Sequence, residues 1–368
     1  MFAKGNFTLE YLKSISKGRH LDPSIMEKTL FAFGLLDALA RVETPFIFKG
    51  GTSLMLLLKR PMRLSTDIDI LVDPELDIEP FIDKASTLFP FERFEEDRRK
   101  GVSGIVKKHY QFFYHSIITG KESTILLDVV FEDSPYSVVL SKEIKCDFFQ
   151  TEGEPTHTRI PSIDSILGDK LTAFAPNTVG IHYLTTRPDK PVLDKKMEVI
   201  KQFFDVATLF REASDFEAIK TTYETIAMLE IAYRGLSVSP TECLLDTFRC
   251  AASILSKGRV FAEDYQHLLE GIMRIKGHIF GVKFGAELAC SYGCEVMLLV
   301  AGLLTQTNVI QQDIPQQPLI DYPPYDKLNF FARVDREAFD RAAYAVSLLK
   351  QYEKDHQSLN CSPKSRQL

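Results

Sequence analysis

A chain of 368 residues with 45% hydrophobic and 26% charged residues is long enough for two packed domains and has the balance of a globular protein. A net charge of −6 and a pI of about 5.8 exclude a globally basic nucleic-acid binder, so any such contact requires a local basic patch. The six cysteines do not form a disulfide framework: Cys290 and Cys294, and Cys243 and Cys250, lack the spacing or a nearby histidine that a zinc site needs, and reduced, buried thiols are expected.

Residues 1–20 carry no continuous apolar core of the signal-peptide kind, and the run 296–304 is too short to cross a bilayer, so a cytoplasmic chain with no membrane partner is expected. In chain order, residues 24–41 place Met26, Leu30, Phe33, Leu36 and Leu39 at helical spacing. Pro45 ends that helix, and 46–48 reads as a short buried strand running into Gly50-Gly51. Residues 52–59 are helical, Pro61 stops them, 67–72 form a second strand, and 78–88 form a helix. A basic stretch then leads into a strand at 110–115, and 125–131 is a buried strand interrupted by one charge, Asp128. This order predicts an α/β domain over residues 1–160.

From 163 onward the pattern is helical, at 163–175, 195–212, 214–233, 241–255, 261–275, 284–305 and 335–353. Turn formers make 177–194 a loop, and Pro315, Pro318, Pro323 and Pro324 make 311–327 an extended connection. A helical domain over 161–353 and a frayed polar tail at 354–368 complete the expected organisation.

The chemistry concentrates between residues 49 and 73. Asp67 and Asp69 are two apart on a strand and therefore point to one face. Two like charges held together call for a neutralising cation, for which Mg²⁺ with oxygen ligands is the natural candidate. Gly50 and Gly51 open a helix, where backbone N–H groups receive phosphate. Asp128 shares its strand face with Leu126 and Val130, which makes that face read as buried and the carboxylate costly without a cation. Three carboxylates around two Mg²⁺ ions would suit in-line nucleotidyl transfer.

The run Gly50-Gly51-Thr52-Ser53-Leu54, followed by Arg63-x-Ser65-x-Asp67-x-Asp69, resembles the nucleotidyl transferase AbiEii/AbiGii toxin family, a branch of the DNA polymerase β-like nucleotidyltransferases. Asp169-Lys170-Leu171-Thr172-Ala173 resembles that family's lysine-bearing helix, and Phe204-Asp205-Val206-Ala207-Thr208-Leu209 its downstream aspartate motif, so the resemblance covers about residues 25–212. It implies an α+β fold: a polymerase β-like domain with a small mixed sheet, then a mainly helical domain completing the site. Gly50, Gly51, Thr52 and Ser53 would hold the phosphates of an NTP, and Arg63 and Ser65 would brace the turn or touch the nucleotide. Asp67, Asp69 and Asp128 would bind Mg²⁺, Lys170 would meet the triphosphate, and Asp205 would orient Lys170. An RNA or protein acceptor and a cognate antitoxin are the further partners it implies.

A catalytically weak nucleotide-binding or partner-binding protein of the same fold is the alternative. A phosphohydrolase would want histidine ligands, and none of the eight histidines lies beside the aspartates in sequence. Two basic clusters, Arg98-Arg99-Lys100 with Lys107-Lys108-His109, and Arg187 to Lys201, could contact nucleic acid or form a solvated mixed surface. Tyr110, Phe112 and Phe113 fit core positions better than a stacking platform.

Overall fold

The computed structural model describes residues 2–19, 21–97, 106–187 and 190–360. The chain divides into two compact units. The first holds Met1–Ile166, Ala232–Gly235 and Ile275–Lys283, and the second holds Leu167–Ile231, Leu236–Arg274 and Phe284–Leu368.

The first unit begins with α1 (Leu9–Arg19) and α2 (Pro23–Arg41). Asp22 caps α2, its carboxylate accepting from the backbone N–H groups of Ser24 and Ile25, and Pro23 occupies the first turn, where its missing N–H is no loss. Then follow β1 (Ile47–Lys49), α3 (Gly50–Leu57), β2 (Ile68–Val72), α4 (Glu79–Ser86), β3 (Arg93–Glu96), β4 (Val106–His115), β5 (Glu122–Phe131), β6 (Val139–Glu143) and β7 (His157–Pro161). The seven strands form one mixed sheet in the order β3-β4-β5-β2-β1-β7-β6. β2 runs parallel to β5 and β1 parallel to β7, while the other neighbours are antiparallel.

One face of the sheet is covered by α2 and α4 and carries Ile68, Ile70, Leu127, Val129, Tyr110 and Phe112, all buried. Tyr110 and Phe112 are therefore core, and Phe113, on the opposite face, is buried as well. Leu126, Asp128 and Val130 lie on the opposite, half-exposed face, which corrects the expectation of a buried environment around Asp128. A central strand is apolar on both faces, so alternation alone does not tell which face the helices cover.

The second unit continues α5 (Ile163–Ala173) and adds β8 (Leu184–Arg187), β9 (Lys190–Asp194), α6 (Lys196–Phe210), α7 (Phe216–Arg234), α8 (Pro240–Ser256), α9 (Ala262–Arg274), α10 (Ala286–Thr305) and α11 (Arg336–Asn360). Residues read as one loop, 177–194, contain the β8–β9 hairpin, and Asn177 and Thr178 are anchored to the buried carboxylate of Asp246 on α8. α11 reaches Asn360, past the Glu353 at which fraying was expected. α10 extends well beyond the run 296–304: it has the length and composition of a bilayer span, yet 83% of its apolar window is buried in the structure. Cys146, Cys243, Cys250, Cys290 and Cys294 are buried and form no disulfide.

Candidate active site

The glycine pair is explained by what lies against it. Gly50 has φ +78°, a conformation that disfavours a side chain, and a Cβ there would lie 1.9 Å from Asp69 Oδ2. A Cβ on Gly51 would lie 2.7 Å from Arg63 Nη2 and 2.9 Å from Ser65 Oγ. The structure thus brings Gly50, Gly51, Arg63, Ser65 and Asp69 together at the start of α3. Gly50→Ala is expected to cost about 1–3 kcal/mol from the backbone conformation alone. It should also displace the Asp69 carboxylate, so urea unfolding and nucleotidyl transfer should both register the change.

The two hydroxyls of the loop serve the backbone. Thr52 Oγ1 donates to the Asp67 carbonyl at 2.6 Å, and Ser53 Oγ donates to the Gly50 carbonyl at 2.8 Å; both residues are fully buried. In this structure both hydroxyls brace the loop from within, and the Thr52 bond ties the start of α3 to the backbone of Asp67. The turn carrying Arg63 is held from two sides. Thr29 Oγ1 donates to the Ser65 carbonyl, and the segment around Ile279 pairs with it, Leu64 N–H donating to the His278 carbonyl at 2.8 Å.

Strand register places the acidic residues in a row. Lys49 on β1 is opposite Asp69 on β2, Asp69 is opposite Asp128 on β5, and Asp128 is opposite His109 on β4. Register partners on adjacent strands share a face, so a cation, two carboxylates and a histidine cross four strands side by side. His109 Nδ1 lies 2.6 Å from Asp128 Oδ1, and Lys49 Nζ lies 5.7 Å from the centre of the Tyr136 ring. Asp67 stands exposed at the head of β2, two residues before Asp69. Lys49 and His109 are the members that the motif reading missed, and a histidine does lie beside an acidic residue of the set. The sequence signal for both is the register, which requires knowing which strands are neighbours.

The donor set suits a hard divalent cation, since carboxylate oxygens are what Mg²⁺ takes. Among the described residues no three His, Cys, Asp or Glu side chains converge as a closed ligand cage. An open arrangement is compatible with Mg²⁺, which usually relies on one or two carboxylates and completes its shell with water and substrate phosphates.

In the second unit, Lys170 on α5 and Asp205 on α6 form a buried ion pair with Nζ 3.3 Å from Oδ2, and Lys170 also donates to Gln202 Oε1 at 2.9 Å. α5 approaches α7 closely at Gly168, where a Cβ would lie 2.6 Å from the Ile219 carbonyl oxygen. The juxtaposition of Lys170 and Asp205 expected from the motifs is present. Of the two basic clusters, Arg98-Arg99-Lys100 and residues 188–189 lie outside the described residues. Lys108 binds Glu79, and Lys196 binds Glu270 and Asp194, so these cations are neutralised within the fold.

A mixed sheet that sets paired aspartates beside a glycine-led helix start is an arrangement suited to nucleotide chemistry. The family model described as "Nucleotidyl transferase AbiEii toxin, Type IV TA system" matches residues 34–278. The chain belongs to this family and is a nucleotidyltransferase of the type IV toxin–antitoxin kind, a membership that implies a nucleotide substrate and a cognate antitoxin. Among solved structures, the chain is similar to JHP933 from Helicobacter pylori at 15% identity and a TM-score of 0.37, covering 90% of this chain and 96% of that one. It is also similar to an H. pylori protein provisionally described as a nucleotidyltransferase, at 14% identity and a TM-score of 0.41, covering 77% of this chain and 98% of that one. No curated protein matches the chain significantly.

Proposed function

We propose that the chain is a Mg²⁺-dependent toxin that transfers a nucleoside monophosphate from an NTP to a hydroxyl of RNA, releasing pyrophosphate. The observation that carries this reading is the Lys49–Asp69–Asp128–His109 row, with Asp67 and the Gly50–Gly51 loop at its edge.

Asp67 and Asp69 would hold the metal, with Asp128 as a third oxygen donor. Mg²⁺, when bound, supplies neutralisation of the triphosphate and acidifies an attacking hydroxyl. The backbone N–H groups at the start of α3 favour negative charge and orient the phosphates, and Arg63 at Gly51 adds a fixed cation. Lys49 moderates the repulsion between Asp69 and Asp128, and His109 holds the Asp128 carboxylate in one orientation. From the family resemblance, Lys170 is proposed to act on the triphosphate, with Asp205 fixing its side chain.

The test incubates purified protein with each α-labelled NTP and total RNA, with Mg²⁺ or with EDTA. Label is expected in RNA with at least one NTP and only with Mg²⁺. Equal transfer in EDTA overturns the metal dependence, and label confined to protein overturns the RNA acceptor.

A further inference from the structure

We propose that a basic cavity at the C-terminal end of α3 is a binding subsite for the phosphodiester backbone of single-stranded RNA; this rests on the acceptor reading above. The cavity lies within the first unit, has a volume of about 540 Å³, and is lined by the cations Lys59, Arg60, Lys142 and Lys145. The acidic residues of the lining are Glu143 and Asp147. A local excess of positive charge on a chain of net charge −6 is the localised patch that the composition requires of a nucleic-acid binder.

The apolar part of the lining points to more than a lone anion. Phe148 is buried and meets Phe280 edge to face with ring centres 5.2 Å apart, which leaves half-buried Phe280 as the ring open to the cavity. Cations beside an aromatic surface form the combination that binds single strands, phosphate on the charges and base on the ring. The volume falls within the range of whole-ligand sites, and a single phosphate would leave the apolar wall uncovered.

The position connects the cavity to the acidic row. α3 has eight residues and therefore spans about 12 Å, with Gly50 and Gly51 against Asp69, Arg63 and Ser65 at one end and the cavity at the other. Phe280 N–H donates to the Met62 carbonyl at 2.9 Å, so the aromatic wall is tied to the turn that delivers Arg63 to Gly51. RNA lying in the cavity would have its next few nucleotides within reach of Asp69.

The experiment measures fluorescence anisotropy of labelled single-stranded RNA and DNA oligonucleotides of one sequence, across a salt series, with the full chain. The variant is Arg60→Glu/Lys142→Glu/Lys145→Glu, accompanied by the neutral Arg60→Gln/Lys142→Gln/Lys145→Gln in case the reversed charges impair folding. The wild type is expected to bind RNA, and the neutral variant to bind at least about tenfold more weakly. Its log–log salt slope should fall by about 2, near 0.7 for each of three lost phosphate contacts on a single strand. Calorimetric binding of Mg·NTP should stay unchanged. Wild-type RNA binding that is absent, weaker than DNA binding, or equal in the neutral variant overturns the proposal. RNA binding lost in the variant while the wild type fails to turn over any NTP upholds the cavity and counts against the proposed function alone.

Discussion

Asp69→Asn is expected to lower nucleotidyl transfer by at least about a thousandfold while leaving the fold intact. Asparagine matches aspartate in volume, so the close packing of this side chain on Gly50 survives the change. What is lost is one full negative charge at the centre of the row, directly opposite Asp128. Removing a single preorganised electrostatic partner of a transition state commonly costs a factor of about 10²–10³, and loss of a metal ligand adds to it. Stability should change little, because relief of the repulsion from Asp128 is offset by loss of the attraction to Lys49 opposite Asp69 on β1. The checks are label transfer per mole of protein and the urea midpoint. Transfer within tenfold of wild type would remove Asp69 from the reacting centre.

Asp205→Ala is expected to cost about 3–5 kcal/mol of stability, because it leaves a buried ammonium without its carboxylate. Asp205 is 1% exposed and Lys170 is 7% exposed, so water cannot take over the lost interaction without the helices separating. Gln202 still accepts from Lys170 but carries no charge. Replacing both partners with apolar residues, Lys170→Met with Asp205→Leu, should recover most of that loss. Equilibrium denaturation measures the cycle, and a single-variant cost below about 1 kcal/mol would refute the buried-pair reading. The same double variant separates architecture from chemistry: restored folding with transfer still abolished assigns the Lys170–Asp205 pair a role beyond stability.

Local pattern made much of the architecture readable. α2 was expected at 24–41 and spans Pro23–Arg41, because helical spacing of large apolar residues and a proline shortly after it leave little choice. The four prolines of 311–327 produced the extended connection they predict, followed by a 3₁₀ turn from Tyr325. Other elements were illegible for identifiable reasons. β6, with the sequence VLSKE, lacks a clean apolar alternation, and its pairing partner β7 begins fourteen residues after it ends. The β8–β9 hairpin sits in a stretch rich in turn formers, so its composition speaks for a loop. α1 carries only four large apolar residues, Leu9, Tyr11, Leu12 and Ile15, a shorter run than that of α2.

The candidate site divides along the same line. Asp67, Asp69, Gly50, Gly51, Arg63 and Ser65 lie within one stretch of twenty residues, 50–69, so motif spacing brings them together before any fold is known. Lys170 and Asp205 were likewise legible, each from its own helix motif. Tertiary structure alone decided that Thr52 and Ser53 brace the loop from within, that Asp128 sits on the open face of its strand, and that Lys49 and His109 complete its row. The physical reason is that side-chain periodicity belongs to one segment, whereas register and face coverage arise from pairing between segments far apart in the chain. The paired aspartates and their glycine loop are a property of the sequence; the charges that surround them are a property of the sheet.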